Sequence, residues 1–188
     1  SRSAEKAQAY AKAHGIPKAH GSYDALLADP DVDAIYISLP NSLHCEWTVK
    51  AAAAGKHVLC EKPLVLSLAE LDAVVAAAAD NHVTIFEAFA NLHHSQTQKV
   101  IEIVQSGRLG DLQLITGWQA FPVPADDSDN IRLKPELGGG SLWDLGVYPN
   151  SLAIVFNQTG PPVEVWAIQV VGETGVEIAL TGQLRFAN

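Results

Sequence analysis

The chain of 188 residues contains no methionine, not even at position 1. As written it does not open at a translation start, and we expect it to be processed or a piece of a longer protein. Only two cysteines occur, Cys45 and Cys60, both in apolar surroundings. Neither a disulfide framework nor a metal site is expected from them, and a reducing, cytoplasmic setting is. Lys and Arg total 12 against 21 Asp and Glu, a formal net charge of −9, with no dense basic cluster. That balance argues against nucleic-acid and anionic-membrane partners. No apolar run approaches the roughly 18 residues of a membrane span, and the N-terminus lacks the charged-then-apolar pattern of a secretion signal. Finally, none of the 14 glycines forms G-x-G-x-x-G near the front of the chain.

What is present is regular. Residues 3–14, SAEKAQAYAKAH, combine a capping serine, strong helix formers and Gly15 as a stop. Residues 23–28 suggest a short helix. VDAIYISLP, 32–40, is a near-continuous apolar run ending at a proline, as expected of a central parallel strand. HCEWTVKAAAAGK is a helix with Gly55 past its end, HVLC (57–60) a strand, and residues 68–81 a helix N-capped by Ser67 with Glu70 at the capping-box position. HVTIFEAF, 82–89, is a further strand. The order β-α-β-α-β with short connections specifies a parallel sheet with helices on both faces.

The second half changes character. SQTQKVIEIVQSG reads as a helix, DLQLITGWQAF (111–121) as a strand, 122–137 as a Pro- and Asp-rich loop, and GGGSLWDLGVYPNSLAIVF (138–156) as a helix after three glycines. PVEVWAIQVV and VEIALTGQLRF alternate as antiparallel strands do. The expected fold is therefore α/β: a doubly wound parallel, Rossmann-type sheet lacking its first strand, followed by an α+β domain with a mainly antiparallel sheet. Residues 1–91 would form the first domain and 92–188 the second, the second being incomplete at its C-terminus.

A dinucleotide-binding unit opens with a strand, a glycine-rich turn and a helix, so that N–H groups and the helix dipole meet the pyrophosphate. If Ser1, Arg2 and Ser3 are the tip of its second strand, roughly 30 residues precede them. An acid at that tip accepts from a free ribose 2′-OH; Arg2 between two hydroxyls instead suits a 2′-phosphate, hence NADP rather than NAD. Ser3 capping the following helix beside a solvated Arg2 is an equal alternative.

HVLCEKPL raises the most specific question, because Glu61 and Lys62 stand where Pro63 ends a ladder. In open α/β sheets ligands lie beyond the carboxyl ends of the strands. DVDAIYISLPNSLHCEWTVKAAAAGKHVLCEKPL, together with GGGSLWDLGVY, resembles the Gfo/Idh/MocA family of NAD(P)-dependent oxidoreductases. Within it the tyrosine form is most similar to the glucose–fructose oxidoreductase, dihydrodiol dehydrogenase and NADP-dependent xylose dehydrogenase branch. The resemblance runs along essentially the whole chain but spans only part of a family member.

It implies hydride transfer between NADP (NAD being possible) and a CH–OH or C=O group of a small sugar-like substrate. Lys62 matches the family lysine beside the nicotinamide, with Glu61 and Pro63 its neighbours and a cis peptide before the proline. Asp144 and Tyr148 match the other two catalytic positions, and i, i+4 spacing puts them on one helix face. Tyr148 would handle the proton and Asp144 would orient the substrate. The alternative for these two is structural: Ser141 and Asp144 also fit an S-x-x-D capping box, and Tyr148 an ordinary half-buried aromatic. Leu39, Pro40, Asn41 and His44 correspond to the segment under the cofactor's ribose and nicotinamide, with a Pro-Asn turn and a helix-start histidine as the alternative. EAFANLHHSQ matches a family stretch except that Leu92 replaces a common arginine and Ser95 a common proline. His93 and His94 lack a carboxylate partner for a metal. Homo-oligomers through the second-domain sheet are expected by analogy. Two other functions stay open: an NAD-dependent inositol-type dehydrogenase, and a non-catalytic dinucleotide-binding regulator or inactive fragment.

Overall fold

The computed structural model describes residues 3–124, 126, 127, 129–157 and 159–187. They form two compact units, Ser1–Leu39 with Leu43–Glu87, and Pro40–Ser42 with Ala88–Asn188.

The first unit opens with α1, Ala4–His14. Ser3 is extended at its N-cap and accepts from Lys6 N at 3.3 Å; Gly15 closes it at φ 66°. After α2 (Tyr23–Leu27) come β1 (Ala34–Ile37), α3 (His44–Ala53), β2 (His57–Cys60), α4 (Leu68–Asp80) and β3 (Ile85–Glu87). The strands are parallel in the order β1-β2-β3, with Ile37 level with Cys60 and Cys60 level with Glu87, so their carboxyl ends finish side by side. Ile35, Ile37, Val58 and Cys60 share the buried face and pack with Ala51 of α3. Thr48, Ala51 and Ala52 are fully buried, and such small residues let α3 lie close to the sheet. Burying a side chain such as Ile37 or Val58 stabilises by about 1.5–3 kcal/mol.

The near-continuous run expected for β1 is in fact alternating. Tyr36, Leu59 and Phe86 stand level across the three strands on the other face, exposed by 58%, 42% and 48%. Ser67 caps α4, its Oγ accepting from Glu70 N at 3.2 Å, while the Glu70 carboxylate accepts from Leu66 N at 2.7 Å. Between α2 and β1 the buried Asp29 carboxylate binds Lys18 Nζ at 2.6 Å and His20 Nε2 at 2.7 Å, and accepts from Asp31 N at 3.1 Å. The hydrogen bond from Lys18, then that from the Asp31 amide, holds the carboxyl well below the usual carboxylate range.

The second unit contains α5, Ser95–Gln105, capped by His94, whose Nδ1 accepts from Gln96 N at 3.2 Å. Strands β4 (Glu164–Val171) and β5 (Glu177–Arg185) are antiparallel, with Glu164 opposite Arg185 and a bulge at Val170/Val171. Residues 111–121, expected as a strand, pair with no strand among the described residues. Leu114 and Trp118 there are 79% and 89% exposed. A strand is held by its ladder and cross-strand pairs; alternation alone does not supply a partner.

The helix expected over 138–156 also differs. A π-helical turn, Leu142–Gly146, leads into α6, Val147–Asn157. Ser141 has helical angles (φ −70°, ψ −29°) and makes no side-chain cap. The S-x-x-D capping box is therefore not formed, because Ser141 is already inside the turn rather than at its boundary. The first amide of the turn, Leu142 N, donates instead to the Glu177 carboxylate of β5 at 2.7 Å. Pro149 is the third residue of α6.

Candidate active site

In the first unit the expected residues gather at the carboxyl ends of β1 and β2. Glu61 N donates to Ile37 O at 2.9 Å, the last sheet-type bond before Pro63 stops the ladder. The Lys62–Pro63 peptide is cis. Lys62 is half-buried and Pro63 buried. The Tyr36 hydroxyl donates a hydrogen bond to the Glu61 carboxylate, which raises the Tyr36 pKa above the usual tyrosine range. Just past the proline, Leu64 N donates to the Glu87 carboxylate at the end of β3, at 2.7 Å. The turn carrying Lys62 is thus tied to β1 on one side and β3 on the other.

His44 completes this arrangement from inside. Its ring is 1% exposed, with Nδ1 at 2.7 Å from Pro63 O and Nε2 at 2.7 Å from Leu39 O. Carbonyl oxygens only accept, so a ring nitrogen that carries hydrogen donates to the carbonyl it faces, and the ring lies between the two strand ends. Cys60, fully buried, has its thiol pushed up to about 11 by burial, as suits a packed and unreactive group. Ser3 caps α1 as described; Ser1 and Arg2 lie outside the described residues.

Pro40 and Asn41 group with the second unit. There Asn41 Nδ2 donates to Gly138 O at 2.9 Å, fastening Asn41 to the triple-glycine turn. That turn sets the start of the helical segment bearing Asp144 and Tyr148. Gly139 leaves no room for a side chain, since a Cβ would come within 2.5 Å of Arg132 O. Asp144 is on the π turn and Tyr148 at the second residue of α6. Such π turns inside helices are frequent at functional sites. The Tyr148 ring meets Phe89 edge-on, centroids 6.0 Å apart. The Asp144 side chain, 19% exposed, accepts from Arg132 Nε at 2.6 Å. Ser141 Oγ and Asn91 Oδ1, also in this unit, are buried with no hydrogen-bond partner among the described residues.

Each unit therefore gathers its own part of the expected set: Leu39, His44, Glu61, Lys62 and Pro63 in the first, Asn41, Asp144 and Tyr148 in the second. Sequence reasoning missed Tyr36, Glu87, Arg132 and Glu177, which hold these residues through contacts 12 to 35 positions apart. The sole local signal was charge beside a motif. The strand ends around Lys62 fit the nicotinamide end of a dinucleotide, since adjacent parallel strands finish level there and present an ammonium-bearing turn. The chain has no glycine-rich phosphate turn. Among the described residues no group of three His, Cys, Asp or Glu side chains could hold a metal, and no helix is long and apolar enough to cross a membrane.

Comparison with known proteins agrees with this geometry. Residues 1–89 match the oxidoreductase family with an NAD-binding Rossmann fold, and residues 97–188 the GFO/IDH/MocA C-terminal domain. D-xylose 1-dehydrogenase (NADP(+)) 2 of Haloferax volcanii is 43% identical over 187 residues, 99% of this chain and 56% of that protein. Trans-1,2-dihydrobenzene-1,2-diol dehydrogenase of Xenopus tropicalis is 33% identical over 190 residues, again 99% of this chain and 56% of the relative. The chain thus spans little more than half the length of these relatives. A 3-ketoreductase from Actinomadura kijaniata, solved with NADP and TDP-benzene, superposes with a TM-score of 0.85 at 31% identity, over 100% of this chain and 57% of its own. With a strand-end lysine before a cis proline in one unit, the D-x-G-x-Y turn in the other, and the family's patterns laid over both, the chain belongs to the Gfo/Idh/MocA family of oxidoreductases.

Proposed function

We propose that the chain carries the chemistry of an NADP-dependent oxidoreductase acting on a CH–OH or C=O group of a sugar or sugar-like substrate. The observation that carries this reading is the placing of Lys62 at the level carboxyl ends of a parallel sheet, in a chain that also presents Asp144 and Tyr148 one turn apart. Bound NADP supplies the hydride acceptor, or NADPH the donor. Glu61, Lys62, Pro63, Leu39, Pro40 and Asn41 are the residues that would hold its nicotinamide side, with Ser1, Arg2 and Ser3 toward the 2′-phosphate. His44 serves the same site from behind, by fixing the Leu39 and Pro63 carbonyls. The similarity to a xylose dehydrogenase that uses NADP favours NADP over NAD.

In the oxidative direction the substrate carbon gives up a hydride and its hydroxyl a proton. Tyr148 takes that proton onto its phenolic oxygen as that oxygen's own proton passes to solvent, and the Lys62 ammonium stabilises the negative charge developing on the substrate oxygen. Asp144 accepts from a substrate hydroxyl and so fixes which carbon faces the hydride path. Reduction uses the same groups in reverse. Residues 1–91 would form the dinucleotide-binding domain and 92–188 the substrate and oligomerisation domain. Copies would pair through β4 and β5, where Val165, Ile168 and Val170 are 64%, 60% and 57% exposed. The setting would be cytoplasmic, where Cys45 and Cys60 remain thiols.

The test is NADPH absorbance during incubation with D-xylose and a panel of other aldoses. Tyr148→Phe should lower kcat by roughly 10²–10⁴-fold, the range for losing a general acid–base. Turnover that survives both Tyr148→Phe and Lys62→Met would sink the assignment.

A further inference from the structure

We propose that Arg132 is the positioning residue of the substrate site, acting through Asp144; the proposal rests on the reading of Asp144 as the group that orients substrate. Arg132 lies in a short 3-10 turn, Ile131–Leu133, inside the Pro- and Asp-rich loop. Its side chain and its backbone both grip the segment that carries Asp144. Nε donates to Asp144 Oδ2 at 2.6 Å, and the Arg132 carbonyl accepts from Gly140 N at 2.9 Å. The residue is held in turn by Asn130, whose Oδ1 accepts from Arg132 N at 3.0 Å, and its guanidinium carbon lies 5.1 Å from the centre of the Phe121 ring.

This geometry has a chemical consequence. A carboxylate on a π turn rotates about two side-chain bonds, and a substrate hydroxyl reads whichever direction its lone pairs face. A charge-assisted bond from an arginine whose backbone is held by Asn130 and Gly140 and whose guanidinium lies over Phe121 fixes that direction before substrate arrives. The ion pair also balances the Asp144 charge locally, so the carboxylate serves as an acceptor in a half-buried position without an unpaired charge. Lysine would not replace arginine here, because an ammonium on a flexible stem lacks the rigid planar geometry that directs Nε–H at Asp144 Oδ2. Arg132 thus couples the variable loop to the fixed D-x-G-x-Y segment, making the loop's conformation part of substrate selection.

A double-mutant cycle tests it, read as NADP-linked oxidation of D-xylose by the purified protein. Arg132→Gln should reduce kcat/KM for the sugar by about 10- to 100-fold while the KM for NADP stays unchanged, since coupling of this size is typical of directly paired groups. In an Asp144→Asn background the same substitution should cost less than about threefold, because no carboxylate remains to be positioned. Arg132→Lys should recover only part of the loss. Equal losses in both backgrounds would overturn the proposal, as would full recovery by lysine. Should Arg132→Gln fail to fold, Arg132→Lys carries the same cycle with the charge retained. A wild type that oxidises no aldose would refute the proposed function separately. The pairing would then be read from urea midpoints of the four proteins: non-additive midpoints retain the Arg132–Asp144 coupling, and additive ones abolish it.

Discussion

Replacing Gly140 with alanine should destabilise the second unit severely, by two separable routes. The backbone at Gly140 has φ 115°, and a non-glycine residue held in such a region costs about 1–3 kcal/mol. The new methyl group would also overlap the Glu177 carboxylate, so that carboxylate must leave. Its departure strips Leu142 N of its acceptor at 2.7 Å, and a hydrogen bond to a charged group is worth about 1.5–3 kcal/mol. Together the two terms come to about 2.5–6 kcal/mol, a large share of the 5–15 kcal/mol that holds a typical domain.

Urea denaturation followed by tryptophan fluorescence reads this directly, because Trp118, Trp143 and Trp166 lie in the second unit and Trp47 in the first. With slopes of about 1–3 kcal/mol per molar urea, the midpoint should fall by about 2 M. In a Glu177→Ala background the carboxylate is already gone, so Gly140→Ala should then cost only the backbone term, about 1–3 kcal/mol. A midpoint close to wild type would refute the conformational argument. The same loss in both backgrounds would refute the role given to Glu177. Since Leu142 precedes Asp144 by two residues, the substitution should depress sugar turnover more than it depresses NADP binding.

Two further outcomes concern the first unit. His44→Ala removes the ring that faces Leu39 O and Pro63 O and leaves a void in the interior, so unfolding free energy should drop by about 3–5 kcal/mol; denaturation near the wild-type midpoint would show that the tie carries no weight. Asp29, whose folded carboxyl titrates below its unfolded value through Lys18 and the Asp31 amide, contributes stability that is present above the ordinary carboxylate range and is lost as pH falls through the folded value. Thermal midpoints of wild type and Asp29→Asn should therefore differ most near neutrality and converge in acid; parallel curves across that range would contradict the linkage.

The elements that could be read from residues alone are those whose cause is local. Ser3, Ser67, Gly15 and Gly55 punctuate helices by chemistry that acts within three or four positions, and all four stand where helices begin or end. Apolar runs closed by Pro40 and Pro63 marked two parallel strands, since a proline has no N–H to donate to a ladder. Residues 111–121 carry an equally good strand pattern and pair with no strand among the described residues, because a ladder depends on a partner that no local pattern records. Ser141 failed as a cap for a related reason. Its role depended on where the helical turn starts, and that is decided by Gly139 packing on the Arg132 carbonyl and by Glu177 reaching from β5.

The same division runs through the candidate site. Lys62, Asp144 and Tyr148 sit in short dense motifs because the chemistry proposed for them needs an ammonium, a carboxylate and a phenol on defined backbone features. The groups that hold them are ordinary residues in unremarkable contexts: an arginine in a polar loop, a glutamate opening a strand, a histidine at a helix start. His44 shows why these cannot be read early. At the first residue of α3 an imidazole turned inward to two carbonyls and one turned outward to a ligand have the same local sequence, and only the fold, by burying all but 1% of it, separates them. Substitutions in this supporting set, Arg132 and Gly140 among them, should therefore alter turnover through geometry while Lys62, Asp144 and Tyr148 stay in place, and pairing each with its partner, Asp144 or Glu177, separates that geometric effect from simple loss of a group.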